Sequence, residues 1–261
     1  MTVMQSPLFD LSGKVALVTG CAGGLGRAIA LAFARHGCDL VLAERELGLA
    51  REVASDCAAL GVRVAPLAAD LADEVQVRQL CHEARDAFGH VDVLVCNAGM
   101  QGPAGSLADV GTSDWDRVFQ VNLRSAQRMV AELVPAMAER GDGSVILMAS
   151  ISALRGNKAI GLYGMSKAAL AQLARNVAVE WGPHGVRANA IAPGLIRTPL
   201  AAGLLADPAF MARRLAMTPL RRVGEPDEIA GVAVMLAARA GGFITGQTLV
   251  ADGGTLIGDG S

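Results

Sequence analysis

The 261-residue sequence predicts a single α/β domain in which helices cover both faces of a doubly wound, seven-stranded parallel sheet. Two observations support this prediction. Short apolar runs bounded by Gly, Asp or Asn alternate with longer segments of helical period, which is typical of successive βαβ units. No internal repeat, low-complexity tract or Pro/Gly/Ser-rich linker interrupts the alternation, so we expect one domain over residues 1–261.

The seven short apolar runs predict the strands of the sheet. They lie at residues 14–19, 39–43, 62–67, 92–96, 144–149, 186–192 and 247–251. The segments between them place apolar residues at helical spacing. They predict helices at residues 25–36, 46–60, 73–88, 113–140, 162–181 and 225–238. Right-handed crossovers then place these helices on both faces of the sheet.

Composition excludes several classes of partner. A net charge of −2, with Lys and Arg spread along the chain, provides no general field for nucleic acid or an anionic membrane. No apolar stretch approaches the roughly 18 residues of a membrane span. Residues 1–10 also lack the basic start and apolar run of a signal peptide. We therefore expect a cytoplasmic protein that acts on a small molecule and binds neither nucleic acid nor membrane.

Cysteine and histidine show no metal-binding pattern. The five cysteines are odd in number, lie in the first half of the chain and lack paired metal spacing. They are Cys21, Cys38, Cys57, Cys81 and Cys96. The four histidines form no H-x-x-x-H or Cys/His cluster. We expect reduced thiols and no catalytic metal.

Tyr163 is the only tyrosine in the chain, and Lys167 follows at a spacing that places both side chains on one helix face. A phenol has a pKa of about 10, and lowering it by about three units takes roughly 4 kcal/mol. An ammonium about 4 Å away supplies a comparable amount at an effective dielectric constant of about 20. The pair is therefore a candidate general acid and base. The alternative is a packed ring beside a solvated helix charge.

The turn after the first predicted strand is rich in glycine. Gly20, Gly24, Leu25 and Gly26 lie where a strand passes into a helical pattern. Glycines let the backbone approach a pyrophosphate closely, and the helix N-terminus offers unpaired N–H groups to it. The spacing departs from the G-x-G-x-x-G fingerprint. An ordinary strand-to-helix turn therefore remains the alternative to a dinucleotide site.

Two acidic residues follow the next strands. Glu44 closes the second strand a little over twenty residues after the loop, where a carboxylate can accept hydrogen bonds from the adenosine ribose. A carboxylate there repels a 2′-phosphate, which favours NAD over NADP, although the adjacent Arg45 offers a binding group for that phosphate. Asp70 follows the third strand and is interpreted as a neighbour of the adenine or as a loop cap.

Six segments in order give the chain its resemblance to a known family. They are T-G-x-x-x-G-x-G at residues 19–26, Asn97-Ala98-Gly99, Asn122, Ser150, Tyr163-x-x-x-Lys167 and Pro193-Gly194. From about residue 11 to residue 254 the chain resembles the short-chain dehydrogenase/reductase family in its compact, single-domain form. The resemblance implies a Rossmann-like fold, a nicotinamide cofactor and a homotetramer.

The resemblance also implies a catalytic tetrad. Tyr163 would act as general acid or base in a hydride transfer between nicotinamide and a carbonyl or carbinol carbon, and Ser150 would hold the substrate oxygen. Lys167 would bind the nicotinamide ribose and lower the pKa of the phenol. Asn122 would hold a water that links the lysine to solvent. A strand-end cap for Ser150 and a helix bulge for Asn122 are the structural alternatives.

Further cofactor contacts follow from the same resemblance. Asn97 and Gly99 would line the cofactor's path beside the sheet. The segment from Pro193 through Ile196 to Thr198 would meet the carboxamide, with Thr198 as a possible hydrogen-bond partner. The expected cofactor is NAD.

Residues 194–222 form the least regular long segment, and their apolar residues at a strand's carboxyl end predict a substrate lid. The expected substrate is a secondary alcohol or ketone, with a sugar or polyol, or an acyl-carrier ketone, as alternatives. Arg155 and Lys158 are candidate receivers of a carboxylate or sugar acid. Arg213, Arg214, Arg221 and Arg222 are candidates for attracting an anionic carrier or acyl thioester, with a solvated helix face and a family turn as the alternatives. A nucleotide-binding module without turnover is the alternative of another class.

Overall fold

The computed structural model describes residues 6–258, so the ends of the predicted domain, residues 1–5 and 259–261, lie outside the described chain. Seven parallel strands form one sheet in the order β3-β2-β1-β4-β5-β6-β7. They are β1 (Val15–Thr19), β2 (Asp39–Glu44), β3 (Val64–Ala68), β4 (Val93–Cys96), β5 (Gly143–Met148), β6 (Val186–Pro193) and β7 (Thr248–Ala251). The doubly wound fold is confirmed, with strand ends within two residues of those predicted.

Nine α-helices are described alongside the sheet. They are α1 (Gly24–Arg35), α2 (Leu47–Ala58), α3 (Glu74–Phe88), α4 (Thr112–Phe119), α5 (Ser125–Glu139), α6 (Gly161–Trp181), α7 (Ala202–Leu205), α8 (Pro208–Ala216) and α9 (Pro226–Ala237). None of the helices within residues 6–258 combines the length and apolarity needed to cross a bilayer.

Both faces of the sheet are buried, each under its own layer of helices. Leu17 of β1 packs with α3, α5 and α6, whereas its neighbours Ala16 and Val18 pack with α1, α2 and α9. Successive side chains of a strand point to opposite faces, so a strand buried on both sides is apolar throughout. This explains why the sequence shows short continuous apolar runs rather than alternation.

The segment predicted as one helix over residues 113–140 is continuous but not uniform. A π-helical turn, Gln120–Arg124, lies between α4 and α5 and contains Asn122. A π turn inserts an extra residue into a helix and occurs most often at functional sites. Helical periodicity alone does not reveal it.

The predicted irregular segment, residues 194–222, contains a 3₁₀ turn (Pro199–Ala201) and the short helices α7 and α8. Asp207 caps α8, because its carboxylate accepts hydrogen bonds from the backbone N–H groups of Ala209 (2.9 Å) and Phe210 (3.1 Å). Asp followed by Pro is a recognised helix start. The Asp207-Pro208 pair was the sequence signal for this helix.

Candidate active site

A cavity of about 1130 Å³ opens at the carboxyl ends of the strands. The strand order reverses between β1 and β4, which is where doubly wound sheets bind their ligands. Most of the residues predicted for the site line this cavity. These are Gly20, Gly24, Leu25, Glu44, Asp70, Asn97, Gly99, Ser150, Tyr163, Lys167, Pro193, Ile196 and Thr198. Gly26 and Asn122 are not among the lining residues. Gly26 packs against Gly20, and Asn122 is hydrogen-bonded to Ser166 of α6.

The glycine turn after β1 is tightly packed. Gly20 and Gly24 have positive φ angles of 65° and 52°, which favour glycine. A Cβ atom on Gly26 would lie 2.0 Å from the Gly20 carbonyl oxygen. The turn and the start of α1 thus approach each other as closely as a pyrophosphate cradle requires.

Asn97 holds this turn in place. Its side-chain amide donates hydrogen bonds to the carbonyl oxygens of Thr19 and Gly20, both at 3.0 Å. Asn97 therefore lines the cavity, as expected, but its amide nitrogen is occupied by the turn rather than directed at a ligand.

Glu44 and Asp70 lie at the same end of the cavity. The Glu44 carboxylate accepts hydrogen bonds from the backbone N–H groups of Ala22 (3.2 Å) and Arg45 (2.9 Å). It therefore sits beside the glycine turn with acceptor capacity to spare. One Asp70 oxygen accepts from the Ala72 N–H at 2.9 Å, so the loop-cap interpretation of Asp70 is correct, and the residue also lines the cavity.

Ser150 lies two residues after the end of β5, and Tyr163 lies in the first turn of α6. The Ser150 hydroxyl accepts a hydrogen bond from the Ser152 N–H at 3.1 Å, so the capping interpretation is also correct. Ser150 and Tyr163 both line the cavity, and the Ser150 hydroxyl is close enough to the phenol to lower the pKa of Tyr163. A Cβ atom on Gly164 would lie 2.8 Å from the Ser152 carbonyl oxygen. This glycine, which sequence reasoning missed, lets α6 approach the serine segment.

Lys167 is almost wholly buried, at 3% exposure. Its ammonium donates to the Met148 carbonyl oxygen at 2.7 Å and lies 5.6 Å from the centroid of the Tyr163 ring. A Cβ atom on Gly99 would lie 3.0 Å from the Lys167 Nζ. The strand β5 and the loop after β4 therefore fix the lysine under the tyrosine.

The pKa values of Tyr163 and Lys167 both shift in the direction that favours the neutral side chain. Burial lowers the pKa of Lys167 to about 8. Burial also raises the pKa of Tyr163, and the Ser150 hydroxyl offsets only part of that rise. The expected lowering of the Tyr163 pKa by Lys167 is therefore not seen. Desolvation of the phenolate outweighs an ammonium that lies over the ring and is itself bonded to a carbonyl oxygen.

Asn122 connects the loop after β4 to α6. Its amide group donates to the Met100 carbonyl oxygen and to the Ser166 hydroxyl, both at 2.9 Å, and its oxygen accepts from the Met100 N–H at 2.8 Å. Ser166 in turn donates to the Tyr163 carbonyl oxygen at 2.8 Å. The side chain of Asn122 is thus occupied in positioning the tyrosine helix. Ser166 was missed because a buried helix serine carries no sequence signal.

None of the five cysteines is among the residues that line the cavity. The five cysteines are buried and unpaired, and burial raises the pKa of Cys21 to about 12. Within residues 6–258, no group of three or more His, Cys, Asp or Glu side chains is arranged to hold a metal ion.

The buried lysine predicts a specific dependence of stability on pH. The pKa of Lys167 is about 8 in the folded protein and about 10.4 in an unfolded chain. Between these values the unfolded chain binds more protons, so this group's contribution to the unfolding free energy rises with pH and is least favourable below about pH 8. We expect Lys167→Met to gain most over wild type at about pH 7, with the gain shrinking toward about pH 10.

Urea unfolding of both proteins across this pH range measures the difference directly, because the other titrating groups cancel. Lys158→Met, at an exposed position, is the matched control for removing a lysine charge. A difference for Lys167→Met that stays flat or grows with pH would contradict the buried, desolvated ammonium.

Comparison with known proteins supports the interpretation of this cavity. The family model described as enoyl-(acyl carrier protein) reductase matches residues 20–255. An uncharacterised oxidoreductase of Mycobacterium tuberculosis is 42% identical over 248 residues, which is 95% of this chain and 94% of the relative.

Two solved structures are similar over almost their whole length. A 7α-hydroxysteroid dehydrogenase complexed with NADH and 7-oxo glycochenodeoxycholic acid has a TM-score of 0.91 at 32% identity, covering 96% of this chain and 97% of its own. A gluconate 5-dehydrogenase of Burkholderia cenocepacia, in complex with NADP and tartrate, also has a TM-score of 0.91 at 32% identity, covering 95% and 97%.

The glycine cradle, the carboxylate beside it and a cavity of this volume fit a nicotinamide dinucleotide. Fold, site and relatives together define an NAD(P)-dependent oxidoreductase that acts on CH–OH and C=O groups. The chain belongs to the short-chain dehydrogenase/reductase family.

Proposed function

We propose that this enzyme interconverts a secondary alcohol and its ketone with Tyr163 as the proton donor and acceptor. The observation that carries the proposal is that Ser150 and Tyr163 line one cavity, with the ammonium of the buried Lys167 5.6 Å from the centroid of the Tyr163 ring. A substrate oxygen held by both hydroxyls would receive the phenol proton during reduction and return it during oxidation. The raised pKa of Tyr163 keeps the phenol protonated near neutral pH, which suits the proton donor of a reduction.

The cofactor would lie between the glycine turn and the tyrosine. Gly20, Gly24 and Leu25 would receive its pyrophosphate at the start of α1, with Gly26 behind them. Asn97 and Gly99 would border its path. The nicotinamide supplies or accepts the hydride when bound.

Two regions would bind the ends of the cofactor. Glu44 and Asp70 would face the adenosine at one end. Lys167 would bind the nicotinamide ribose, and Pro193, Ile196 and Thr198 would meet the carboxamide. The Thr198 hydroxyl lies 3.5 Å from the Ile196 carbonyl oxygen, at the limit of a hydrogen bond, so its proton is readily redirected to a ligand.

Residues 194–222 would act as a lid. Leu200 and Leu204 line the cavity while remaining 62% and 42% exposed, so their burial over a bound substrate would exclude water from the reacting carbon. We also propose a homotetramer, as the family resemblance implies, and a cytoplasmic location, which the unpaired cysteines favour.

A panel of alcohols and ketones, followed by the absorbance of reduced nicotinamide with NAD and NADP, tests the proposed function. The gluconate 5-dehydrogenase among the solved relatives favours including sugar acids and polyols, and the family description favours including acyl-carrier ketones. Turnover of any secondary alcohol or ketone supports the proposal. Tight NADH binding with no turnover across the panel would favour a nucleotide-binding module instead.

Glu44 is proposed to select NAD over NADP, and its replacement tests that preference. In Glu44→Ala we expect the Kd for NADH to rise about 10- to 100-fold, because charge-assisted hydrogen bonds to the ribose are lost. The Kd for NADPH should stay the same or fall. Fluorescence titration with both cofactors measures the two constants.

Arg45→Ala is the matched control, since Arg45 is exposed beside Glu44 and also lines the cavity. It should leave NADH binding unchanged. If the ratio of the Kd for NADH to the Kd for NADPH is the same in Glu44→Ala as in the wild type, Glu44 does not bind the adenosine ribose.

A further inference from the structure

The charges lining the cavity are separated into two ends. Among the described lining residues the only carboxylates are Glu44 and Asp70, which follow β2 and β3 at the adenosine end. The substrate end is formed by the loop after β5, the segment after β6 and helices α4 and α8. All of the charged side chains that line this end are basic. Apart from the buried Lys167, these are Arg117, Arg155, Lys158, Arg213 and Arg214.

Arg155 and Arg214 are the innermost of these side chains. Both are partly buried, whereas the other three are exposed. Arg155 lies five residues after Ser150, and Arg214 lies on α8 across the cavity. Burial is the largest cause that lowers the pKa of Arg214, and the like charges of Arg155 and Arg213 lower it further. The two guanidinium groups therefore repel each other over the same space. The Asp252 carboxylate raises the pKa of Arg214, although its own oxygens accept hydrogen bonds from the N–H groups of Gly254 and Leu256.

Nothing within residues 6–258 neutralises this pair by a direct salt bridge. Two other arginines of the same segment do form salt bridges, because Arg197 binds Glu225 at 3.0 Å and Arg222 binds Glu228 at 2.7 Å. Arg214 instead lies with its guanidinium carbon 5.4 Å from the centroid of the Phe210 ring, which also lines the cavity. Partly buried like charges are stabilised by an anion placed between them.

We propose that the substrate carries a carboxylate, and that Arg155 and Arg214 bind it while the reacting oxygen lies at Ser150 and Tyr163. The orientation of the substrate rests on the proposed function. A guanidinium group presents two N–H donors that match the two oxygens of a carboxylate. Both arginines line the same cavity as Ser150 and Tyr163, so the proposed carboxylate lies on the small molecule itself rather than on a carrier outside the cavity.

The same contact would couple substrate binding to the lid. Arg214 belongs to the proposed lid and Arg155 to the loop after β5, so their repulsion would oppose closure and a bound carboxylate would remove that opposition. Neutral substrates lack the group that makes this bridge. The lid would therefore close preferentially over an acid.

Matched pairs of compounds test the proposal on the NADH-loaded enzyme. One pair is 5-keto-D-gluconate and L-sorbose, which differ in a carboxylate against a hydroxymethyl group. The other is 4-oxopentanoate and its methyl ester. In calorimetric titration we expect an acid of at least one pair to bind about 10- to 100-fold more tightly than its neutral partner. Any turnover should show the same preference in kcat/KM.

Replacing either arginine should remove that preference. In Arg155→Gln and Arg214→Gln we expect the acid to lose about 10- to 100-fold in affinity, and the neutral partner to lose little. The Kd for NADH should not change, which also shows that each variant is folded. Arg175→Gln, which removes an exposed arginine of α6 outside the cavity lining, is the matched control.

The possible outcomes separate this proposal from the proposed function. Acid binding that needs both arginines, without turnover, would support the carboxylate site and count against the proposed reaction. Equal binding of acid and neutral partner, a preference that survives both replacements, or no binding of either acid would overturn the carboxylate site. The wild-type comparison decides the matter even where a glutamine variant fails to fold.

Discussion

Tyr163→Phe is expected to lower kcat by about 10³-fold while leaving the Kd for NADH nearly unchanged, because only the transferable proton is removed. The phenylalanine ring keeps the position beside the Lys167 ammonium, which lies 5.6 Å from the tyrosine ring centroid. Steady-state kinetics with any substrate found in the panel, together with NADH fluorescence titration, separates the two effects.

Two comparisons sharpen this prediction. Ser150→Ala should lower kcat less, by about 10²-fold, since it removes a stabilising donor and leaves the phenol in place. Because Tyr163 is the only tyrosine, the ultraviolet absorbance of phenolate reports its ionisation without interference from other phenols. The raised pKa of Tyr163 predicts ionisation above the ordinary value of about 10. If Tyr163→Phe retained the wild-type kcat, Tyr163 would not be the proton donor and acceptor.

Gly26→Ala is expected to weaken NADH binding by about 100-fold or more, because the glycine turn has no room for a methyl group. The added Cβ would lie 2.0 Å from the Gly20 carbonyl oxygen and 2.6 Å from the Asn97 amide nitrogen. The turn must then move away from α1, and the Asn97 hydrogen bonds that hold it are disturbed. Fluorescence titration with NADH measures the loss.

Gly48→Ala is the matched control for this substitution. Gly48 lies near the start of α2, and a Cβ there would meet nothing within 4 Å. Alanine in a helix is favoured over glycine by about 1 kcal/mol, so this variant should be slightly stabilised and should bind NADH normally. If Gly26→Ala also bound NADH normally, the glycine turn would not be the pyrophosphate site.

The sequence predicted the sheet well because β1 and its neighbours are buried on both faces and so appear as unbroken apolar runs. The glycine turn, Glu44 and the Tyr163–Lys167 pair were identified from the residues themselves, whereas other cavity-lining residues, such as Ser150, followed from the resemblance to the family. A helix bulge at Asn122 was one of the alternatives, but helical periodicity alone did not set the bounds of the π turn. The turn depends on hydrogen bonds to Met100 and Ser166, which are distant in sequence.

The prediction from sequence was wrong about the direction in which the pKa of Tyr163 is shifted. The spacing of Tyr163 and Lys167 correctly placed them together, and a Coulomb estimate for two groups in contact suggested a lowered phenol pKa. In the folded protein the pKa of Tyr163 is instead raised, because both side chains are buried and desolvation penalises the phenolate. Burial of a helix residue depends on which elements pack over it, which periodicity does not fix.

The basic end of the cavity shows a similar limit. Arg155 and Lys158 were identified from their place between Ser150 and Tyr163, and Arg213 and Arg214 from their clustering in the sequence. Only the fold shows that α8 carries Arg214 to the same cavity end as Arg155, away from Glu44 and Asp70. Charges separated by about 60 residues in sequence thus become one binding surface.

A crystal structure of the enzyme with bound NAD⁺ tests the central claim most directly. We predict that the adenosine ribose contacts Glu44 and that the nicotinamide ring lies beside the Tyr163 hydroxyl, with Lys167 on its ribose. A dinucleotide bound elsewhere, or a Tyr163 ring directed away from the nicotinamide, would contradict the assignment of this tyrosine as the proton donor and acceptor.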